Sequence, residues 1–142
     1  KEHFEPVLTR AAEVVEFVER TGIDALAISI GTEHGVYRRE PVLNIGRLKE
    51  LNAASAVPLV LHGGSGTPDE QIPEAVRTGI CKLNVFADQR VAMFKGLRES
   101  ARQERVDPLP GQLFGPIKEA LCKVVAEKIN LLFSGNRGKN YN

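Results

Sequence analysis

The alternation of helical and strand-like apolar patterns constrains the fold of this chain more than any other feature of its sequence. Apolar residues recur first at helical spacing and then as a short continuous run, and this order occurs three times before a helical C-terminal part. The predicted elements are a helix over 10–20, a strand over 25–30, a helix over 44–54, a strand over 57–61, a helix over 67–79, a strand over 80–86, and helices over 88–104 and 116–132 around a loop at 107–115. This order is typical of parallel βαβ units whose apolar strands are covered by helices. Three strands can form a small open, doubly wound sheet or part of a barrel, and the order of elements alone leaves both open.

Two of the predicted helices carry start signals. Thr9 precedes the first helix and is its candidate N-cap. The third helix has a stronger signal, in which Thr67 caps, Pro68 occupies the first helical position and Glu70 the third. We therefore expect these helices to begin directly after Thr9 and Thr67.

Composition and charge exclude several classes of protein. The chain has 142 residues, of which 42% are hydrophobic, and this is enough apolar material for a packed core. A net charge of +1 gives no electrostatic field that would attract nucleic acid or an acidic membrane surface. Apolar runs are far shorter than the roughly 18 residues that a membrane-spanning helix needs. We therefore expect no nucleic-acid partner and no membrane span.

Because residues 1–6 lack the apolar region of a secretory signal, we expect a cytoplasmic protein. Cys81 and Cys122 are expected to be buried free thiols.

Two histidines follow the first two predicted strands. His34 comes four residues after the first strand, and His62 directly follows the second. The carboxyl ends of parallel strands meet at one edge of the sheet, where α/β folds gather their functional residues. Neutral imidazoles from neighbouring strands could share a zinc ion. Each histidine taken alone could equally be a hydrogen-bonded loop residue, and His3, which no strand precedes, is expected to be one.

A glycine-rich turn follows the second strand. Residues 63–66, with the sequence GGSG, offer backbone N–H groups and a serine hydroxyl next to a predicted helix N-terminus, a combination that can bind phosphate. A flexible strand-to-helix turn is the alternative. The turn matches neither a P-loop nor a dinucleotide fingerprint, so a nucleotide is disfavoured. At the end of the third strand, Asn84 and Asp88 are either site residues or turn and cap residues.

Three segments together resemble class II fructose- and tagatose-bisphosphate aldolases. They are residues 27–37, residues 58–66 and residues 79–85. The resemblance implies an α/β fold, the TIM (β/α)₈ barrel, of which this chain supplies about the last three strands and the C-terminal helices. Residues 1–142 are then the C-terminal portion of a single barrel domain, and the N-terminal half of the barrel is its expected partner.

The same resemblance implies a site and a reaction. Its metal ligands match His34 and His62 and hold a zinc ion, Zn²⁺, which acts as a Lewis acid on the ketone oxygen. The positions that match the binding site for the dihydroxyacetone phosphate part of the substrate are Gly35, Gly63, Gly64, Ser65, Asn84, Val85 and Ala87. The implied reaction is reversible aldol cleavage of a ketose 1,6-bisphosphate to dihydroxyacetone phosphate and an aldehyde. The proton-transfer aspartate belongs to earlier strands of the family, and a homo-oligomer, dimer or tetramer, is expected.

Some residues depart from the family pattern. Ala87 stands where a threonine usually donates to the phosphate, and Phe86 is bulkier than the usual residue. Arg38 stands where a lysine is frequent. These departures leave two alternatives: a non-catalytic, aldolase-like barrel subunit, or an aldolase for a different sugar phosphate.

Overall fold

A computed structural model of the chain describes residues 7–32, 40–103 and 105–141. Its elements in chain order are α1 (Ala11–Thr21), β1 (Leu26–Ile28), α2 (Ile45–Ala54), β2 (Leu59–Leu61), α3 (Gln71–Thr78), β3 (Ile80–Leu83), α4 (Ala87–Arg102), α5 (Pro110–Leu131) and a final 3₁₀ turn (Arg137–Tyr141). These elements form two compact units, Lys1–Val85 and Phe86–Asn142. None of the helices in the described ranges combines the length and apolar character that a bilayer crossing requires.

The first unit contains a parallel sheet with the strand order β1-β2-β3. Strand β1 pairs with β2 in register, with Leu26 opposite Leu59. The pairing of β2 with β3 contains an irregularity, since Leu59 lies opposite Ile80 but Val60 lies opposite Lys82. The predicted parallel βαβ order is therefore confirmed, and the carboxyl ends of all three strands lie along one edge of the sheet.

The core of the first unit lies between the strands and the helices that connect them. Strand side chains such as Ile28, Leu59 and Ile80 pack with residues of α1, α2 and α3. The complete cluster is Val14, Ile28, Ile30, Leu43, Leu48, Leu51, Leu59, Leu61, Ala75 and Ile80. Successive residues of a strand point to opposite sides of the sheet, so the strand residues in this cluster mark the side that packs against the helices.

Burial of the strands differs from the prediction. All three residues of β2 are buried, as expected, but Ala27 on β1 and Lys82 on β3 are exposed. The two outer strands each have a strand neighbour on one side only in the described sheet. Cys81 on β3 and Cys122 on α5 are both exposed. The prediction of two buried thiols is therefore wrong.

Both predicted threonine caps are wrong, because the two hydroxyls bind elsewhere. Thr9 Oγ1 accepts a hydrogen bond from Ser29 N at 2.9 Å, and helix α1 begins after Arg10. Thr67 is buried, and its hydroxyl donates to the Gly63 carbonyl at 3.3 Å. Helix α3 begins only at Gln71. Residues 68–71 instead form a turn, which a bond from Gln71 N to the Pro68 carbonyl closes at 3.0 Å.

Helix α5 begins earlier than predicted. Six residues of the predicted loop at 107–115 belong to it, because Pro110 occupies its first position, where a missing N–H costs little. The glycines and prolines in this segment suggested a loop, but they are accommodated inside the helix. Pro116 lies within α5.

The second unit is held by a close crossing of α4 and α5. A Cβ atom built on Gly96 would lie 2.6 Å from Ile117 Cα and 2.7 Å from the Pro116 carbonyl oxygen. Ser100 Oγ donates to the Leu113 carbonyl at 2.5 Å on the same side. Glycine at position 96 therefore lets the two backbones touch at the turn that contains the proline.

Replacing Gly96 with alanine tests this crossing. The new methyl group would meet backbone atoms that no side-chain rotation can move, so we expect a loss of about 1–3 kcal/mol in the free energy of unfolding. Gly111 in α5 is the matched control, because a Cβ there meets nothing within 4 Å. Gly111→Ala should leave stability unchanged or raise it by up to about 1 kcal/mol. Urea unfolding of the purified protein measures both, and equal effects of the two variants would contradict the close crossing.

Candidate functional site

The ends of β1 and β2 are tied together at the carboxyl edge of the sheet. Thr32 lies just beyond β1, and its hydroxyl donates to the carbonyl of His62 at 2.8 Å. His62 directly follows β2. This bond fixes the backbone of His62 relative to the segment that leaves β1, which continues toward position 34 in the sequence.

The end of β3 is joined to the same place by two backbone hydrogen bonds. Asn84 N donates to the Leu61 carbonyl at 3.0 Å, and Gly64 N donates to the Asn84 carbonyl at 3.2 Å. The Asn84 backbone is therefore bonded both to Leu61, which precedes His62 in the sequence, and to Gly64, which follows it. These two bonds fix the backbone of Asn84 next to His62, and the Asn84 side chain lies beside the His62 ring.

The Asn84 side chain contacts the His62 ring. Its Nδ2 lies 2.9 Å from Nε2 of His62 and 3.5 Å from Nδ1. Because Nδ2 is near both ring nitrogens at once, the amide lies over the face of the imidazole and not in line with the Nε2 lone pair. The contact thus packs the Asn84 amide against the His62 ring.

The glycine turn at 63–66 packs against the end of β3. Gly63 and Gly66 have φ values of 68° and 76°, in the left-handed region that favours glycine. A Cβ on Gly64 would lie 2.5 Å from the side chain of Leu83. Ser65 is only 5% exposed. The turn is therefore a packed structure, unlike the flexible connection that was the alternative in the sequence.

Two features of a phosphate cradle differ from the sequence prediction. Helix α3 begins at Gln71, six residues after Ser65, so its N-terminus does not directly follow the turn. The N–H of Gly64 is committed to the Asn84 carbonyl. Any anion binding by this turn would therefore rely on other groups than the Gly64 N–H.

The remaining predicted site residues fall in different places. His34 and Gly35 lie outside the described residues. Val85 follows Asn84 at the end of the first unit and is half-buried, whereas Ala87 is the first residue of α4 in the second unit. Asp88 lies in the first turn of α4, where its carboxylate is 3.5 Å from Lys128 Nζ. This ion pair favours the structural interpretation of Asp88 over a role in the site.

The role of Gln71 could not be predicted from the sequence: its side chain holds the segment at 41–43 that leads into α2. Its Oε1 accepts from Leu43 N at 2.7 Å, and its Nε2 donates to the Pro41 carbonyl at 3.1 Å. These partners are 28 and 30 residues away in sequence, so no local pattern indicates them. Thr32 was missed for the same reason, because its partner His62 is 30 residues away.

The chemistry of His62 fits a zinc ligand. A neutral imidazole is a good zinc ligand, and here the Thr32 hydroxyl holds the His62 carbonyl while the Asn84 amide packs against the ring. Within 7–32, 40–103 and 105–141, no group of three His, Cys, Asp or Glu side chains could hold a metal ion. Of the chain's histidines, His3 and His34 lie outside these ranges.

Known structures and sequences match this fold over nearly the whole chain. The YdjI aldolase from Escherichia coli K12 superposes with a TM-score of 0.80 and 39% identity, over 93% of this chain and 47% of that one. The fructose-bisphosphate aldolase of Staphylococcus epidermidis is 39% identical over 127 residues, which are 89% of this chain and 44% of the relative. The sulfofructosephosphate aldolase of Alkalicoccus urumqiensis is 37% identical over 134 residues, which are 94% and 47%. The chain thus spans about half the length of the curated relatives it matches.

These comparisons define the fold and the family. The chain has the fold of the C-terminal part of a TIM barrel, with β1, β2 and β3 as its last three strands. The family model described as "Fructose-bisphosphate aldolase class-II" matches residues 1–137, and the chain belongs to this family. The resemblance seen in the three sequence segments is confirmed, and the barrel is the correct choice between the two architectures that the order of elements left open.

Proposed function

We propose that the protein containing this chain catalyses the reversible aldol cleavage of a ketose 1,6-bisphosphate to dihydroxyacetone phosphate and an aldehyde. The observation that carries the proposal is the meeting of His62, Asn84 and the glycine turn at the carboxyl edge of β2 and β3. In TIM barrels this edge is where active sites lie, often with a phosphate site in the loops after the last two strands. Membership of the aldolase family supports the same reaction class.

The proposed metal ligands are His34 and His62, with Zn²⁺ as the ion. A zinc ion bound there would supply Lewis-acid polarisation of the substrate's ketone oxygen. The chain's own contribution is to hold the ligand ring: Thr32 fixes the His62 carbonyl, and Asn84 fixes the ring itself. A ligand held by its surroundings loses less conformational freedom on binding.

The proposed substrate site is the part of this edge that would hold dihydroxyacetone phosphate. Because Ser65 is packed inside the turn, its position is set before any ligand arrives. Gly64 has a different role in this proposal: its missing side chain allows the turn to lie against Leu83, and its N–H holds Asn84. The other residues proposed to contact the substrate are Gly35, Gly63, Asn84, Val85 and Ala87.

Two alternatives have specific support. Ala87 lacks the hydroxyl usual in the family, and Phe86 is 67% exposed with the Arg90 guanidinium 5.6 Å from its ring centre. These features favour a non-catalytic, aldolase-like subunit, or an aldolase with another sugar phosphate as substrate. The relative named sulfofructosephosphate aldolase supports the second. A homo-oligomer, a partner half of the barrel and a cytoplasmic location belong to the same proposal.

Zinc content and cleavage activity test the proposed reaction in the complete protein that contains residues 1–142. We expect bound zinc by elemental analysis, and chelator-sensitive cleavage of ketose bisphosphates in a coupled assay. His62→Ala should abolish cleavage and weaken zinc binding, because it removes a proposed ligand. His3→Ala is the matched control and should change neither. A protein without zinc that leaves fructose and tagatose bisphosphates intact would contradict the proposal, and zinc binding without cleavage would favour the non-catalytic alternative.

Position 87 provides a second test, directed at the phosphate. A threonine there would add a hydroxyl donor to a charged acceptor, worth about 1.5–3 kcal/mol, so Ala87→Thr should tighten binding of dihydroxyacetone phosphate by roughly 10- to 100-fold. Ala87→Val has nearly the same shape without the hydroxyl and serves as the control. Calorimetric titration measures both affinities. Equal binding by the threonine and valine variants would show that position 87 does not contact the phosphate.

A further inference from the structure

The connection from β2 to α3, which contains the glycine turn, is held at its far end by the side chain of Gln71. This residue is the first of α3. Its Oε1 accepts from Leu43 N at 2.7 Å, and its Nε2 donates to the Pro41 carbonyl at 3.1 Å. An amide that accepts on one side and donates on the other can take one orientation only. The start of α3 is therefore tied to the connection from β1 to α2 by two bonds of one side chain.

The segment that this side chain holds is itself fixed. Asn44 N donates to the Ile30 carbonyl at 2.8 Å, just beyond the end of β1. A Cβ on Gly31 would lie 2.5 Å from the Val42 carbonyl oxygen, so the two backbones lie in close contact there. Leu43 is 5% exposed and belongs to the core cluster. The amide of α3 thus binds to a segment that the core already holds.

A second anchor holds the start of the same connection. The Thr32 hydroxyl donates to the His62 carbonyl at 2.8 Å. Between the two anchors, the Thr67 hydroxyl donates to the Gly63 carbonyl at 3.3 Å, and Ser65 is 5% exposed. The glycine turn therefore lies between two side-chain anchors, and both of them join it to the connection from β1 to α2.

We propose that Gln71 is a positioning residue for phosphate binding, because it holds the far end of the β2–α3 connection and so keeps the glycine turn in the conformation that receives the substrate's phosphate. This inference rests on the proposed function for the identity of the ligand. A loop that is ordered before its ligand arrives binds more tightly, since no ordering has to occur on binding. The amide of Gln71 is engaged with Pro41 and Leu43, so it acts on the ligand through the backbone.

Gln71→Met tests this role, since methionine has a similar length but lacks the amide. We expect the affinity of the complete protein for dihydroxyacetone phosphate, measured by calorimetric titration, to fall roughly fivefold or more. In steady-state assays the KM for the ketose bisphosphate should rise by a similar factor while kcat stays within about twofold, as expected when uniform binding is lost. Zinc content should remain that of the wild type.

Two controls separate positioning from stability. Ile72 is fully buried on α3 beside Gln71, and Ile72→Val should lower the stability to urea without changing the affinity for dihydroxyacetone phosphate. Gln103, at the end of α4, takes part in hydrogen bonds through its backbone, and Gln103→Met should change neither quantity. Equal losses of affinity in Ile72→Val and Gln71→Met would overturn the inference.

Amide hydrogen exchange gives a readout without any ligand. The Leu43 N–H should exchange slowly in the wild type and faster in Gln71→Met, because its acceptor is lost. Gln71→Glu keeps this acceptor but sets a carboxylate oxygen against the Pro41 carbonyl, so it should protect Leu43 and still weaken the binding of dihydroxyacetone phosphate. If Gln71→Met does not fold, wild-type affinity in Gln71→Glu would overturn the inference.

The possible results separate this inference from the proposed function. A wild type that binds dihydroxyacetone phosphate, with unchanged affinity in Gln71→Met, would overturn the inference alone. A wild type that binds no dihydroxyacetone phosphate would overturn the proposed function and this role of Gln71 together. In that case exchange of the Leu43 amide would still show whether Gln71 holds the segment at 41–43.

Discussion

Two backbone hydrogen bonds around Asn84 are the constraint on which the candidate site depends. One joins Asn84 N to the Leu61 carbonyl, and the other joins Gly64 N to the Asn84 carbonyl. They continue the pairing of β2 and β3 past the ends of both strands. Parallel strands need a crossover connection, so this continuation brings together segments that are about 20 residues apart in sequence. His62 lies between Leu61 and Gly64 in the sequence, so the two bonds fix the backbone on either side of it.

Other features of the edge support this junction. The turn at 63–66 can lie against Leu83 because Gly64 has no side chain, and the buried hydroxyl of Thr67 closes it on the Gly63 carbonyl. Thr32 extends the connection to the end of β1. The apolar core beneath the sheet holds the three strands in place, and none of the proposed site residues that the structure describes belongs to its buried cluster. Leu83 packs against that cluster and also against Gly64, so it joins the core to the glycine turn.

The fold could be predicted from the sequence to the extent that it depends on local patterns. The order of helices and strands was predicted correctly because the periodicity of apolar residues is local. The caps at Thr9 and Thr67 were not, because each hydroxyl has a better partner outside its helix, at Ser29 and at Gly63. The start of α5 was missed because Pro110 and the glycines after it permit a helix as well as a loop, and packing against α4 decides between them.

In the candidate site, too, features set by local sequence could be predicted and features set by long-range contacts could not. His62 and the glycine turn could be recognised because they directly follow a predicted strand. The contact of Asn84 with His62 could not be predicted, because it spans 22 residues and depends on the irregular register between β2 and β3. The family resemblance indicates Asn84 as a substrate residue, but only the folded structure places its amide against the histidine ring. Long-range polar contacts of this kind leave no periodic signal in a sequence.

We propose that neighbouring strand ends deliver His34 and His62 to one zinc ion, with the Asn84 amide against the His62 ring. A crystal structure of the complete protein grown with zinc, with the metal located by its anomalous scattering, tests it most directly. We expect one ion about 2.0–2.1 Å from a ring nitrogen of each histidine, with the Asn84 amide against the His62 ring. Rings that share no ion, or a His62 ring turned away from Asn84, would contradict it.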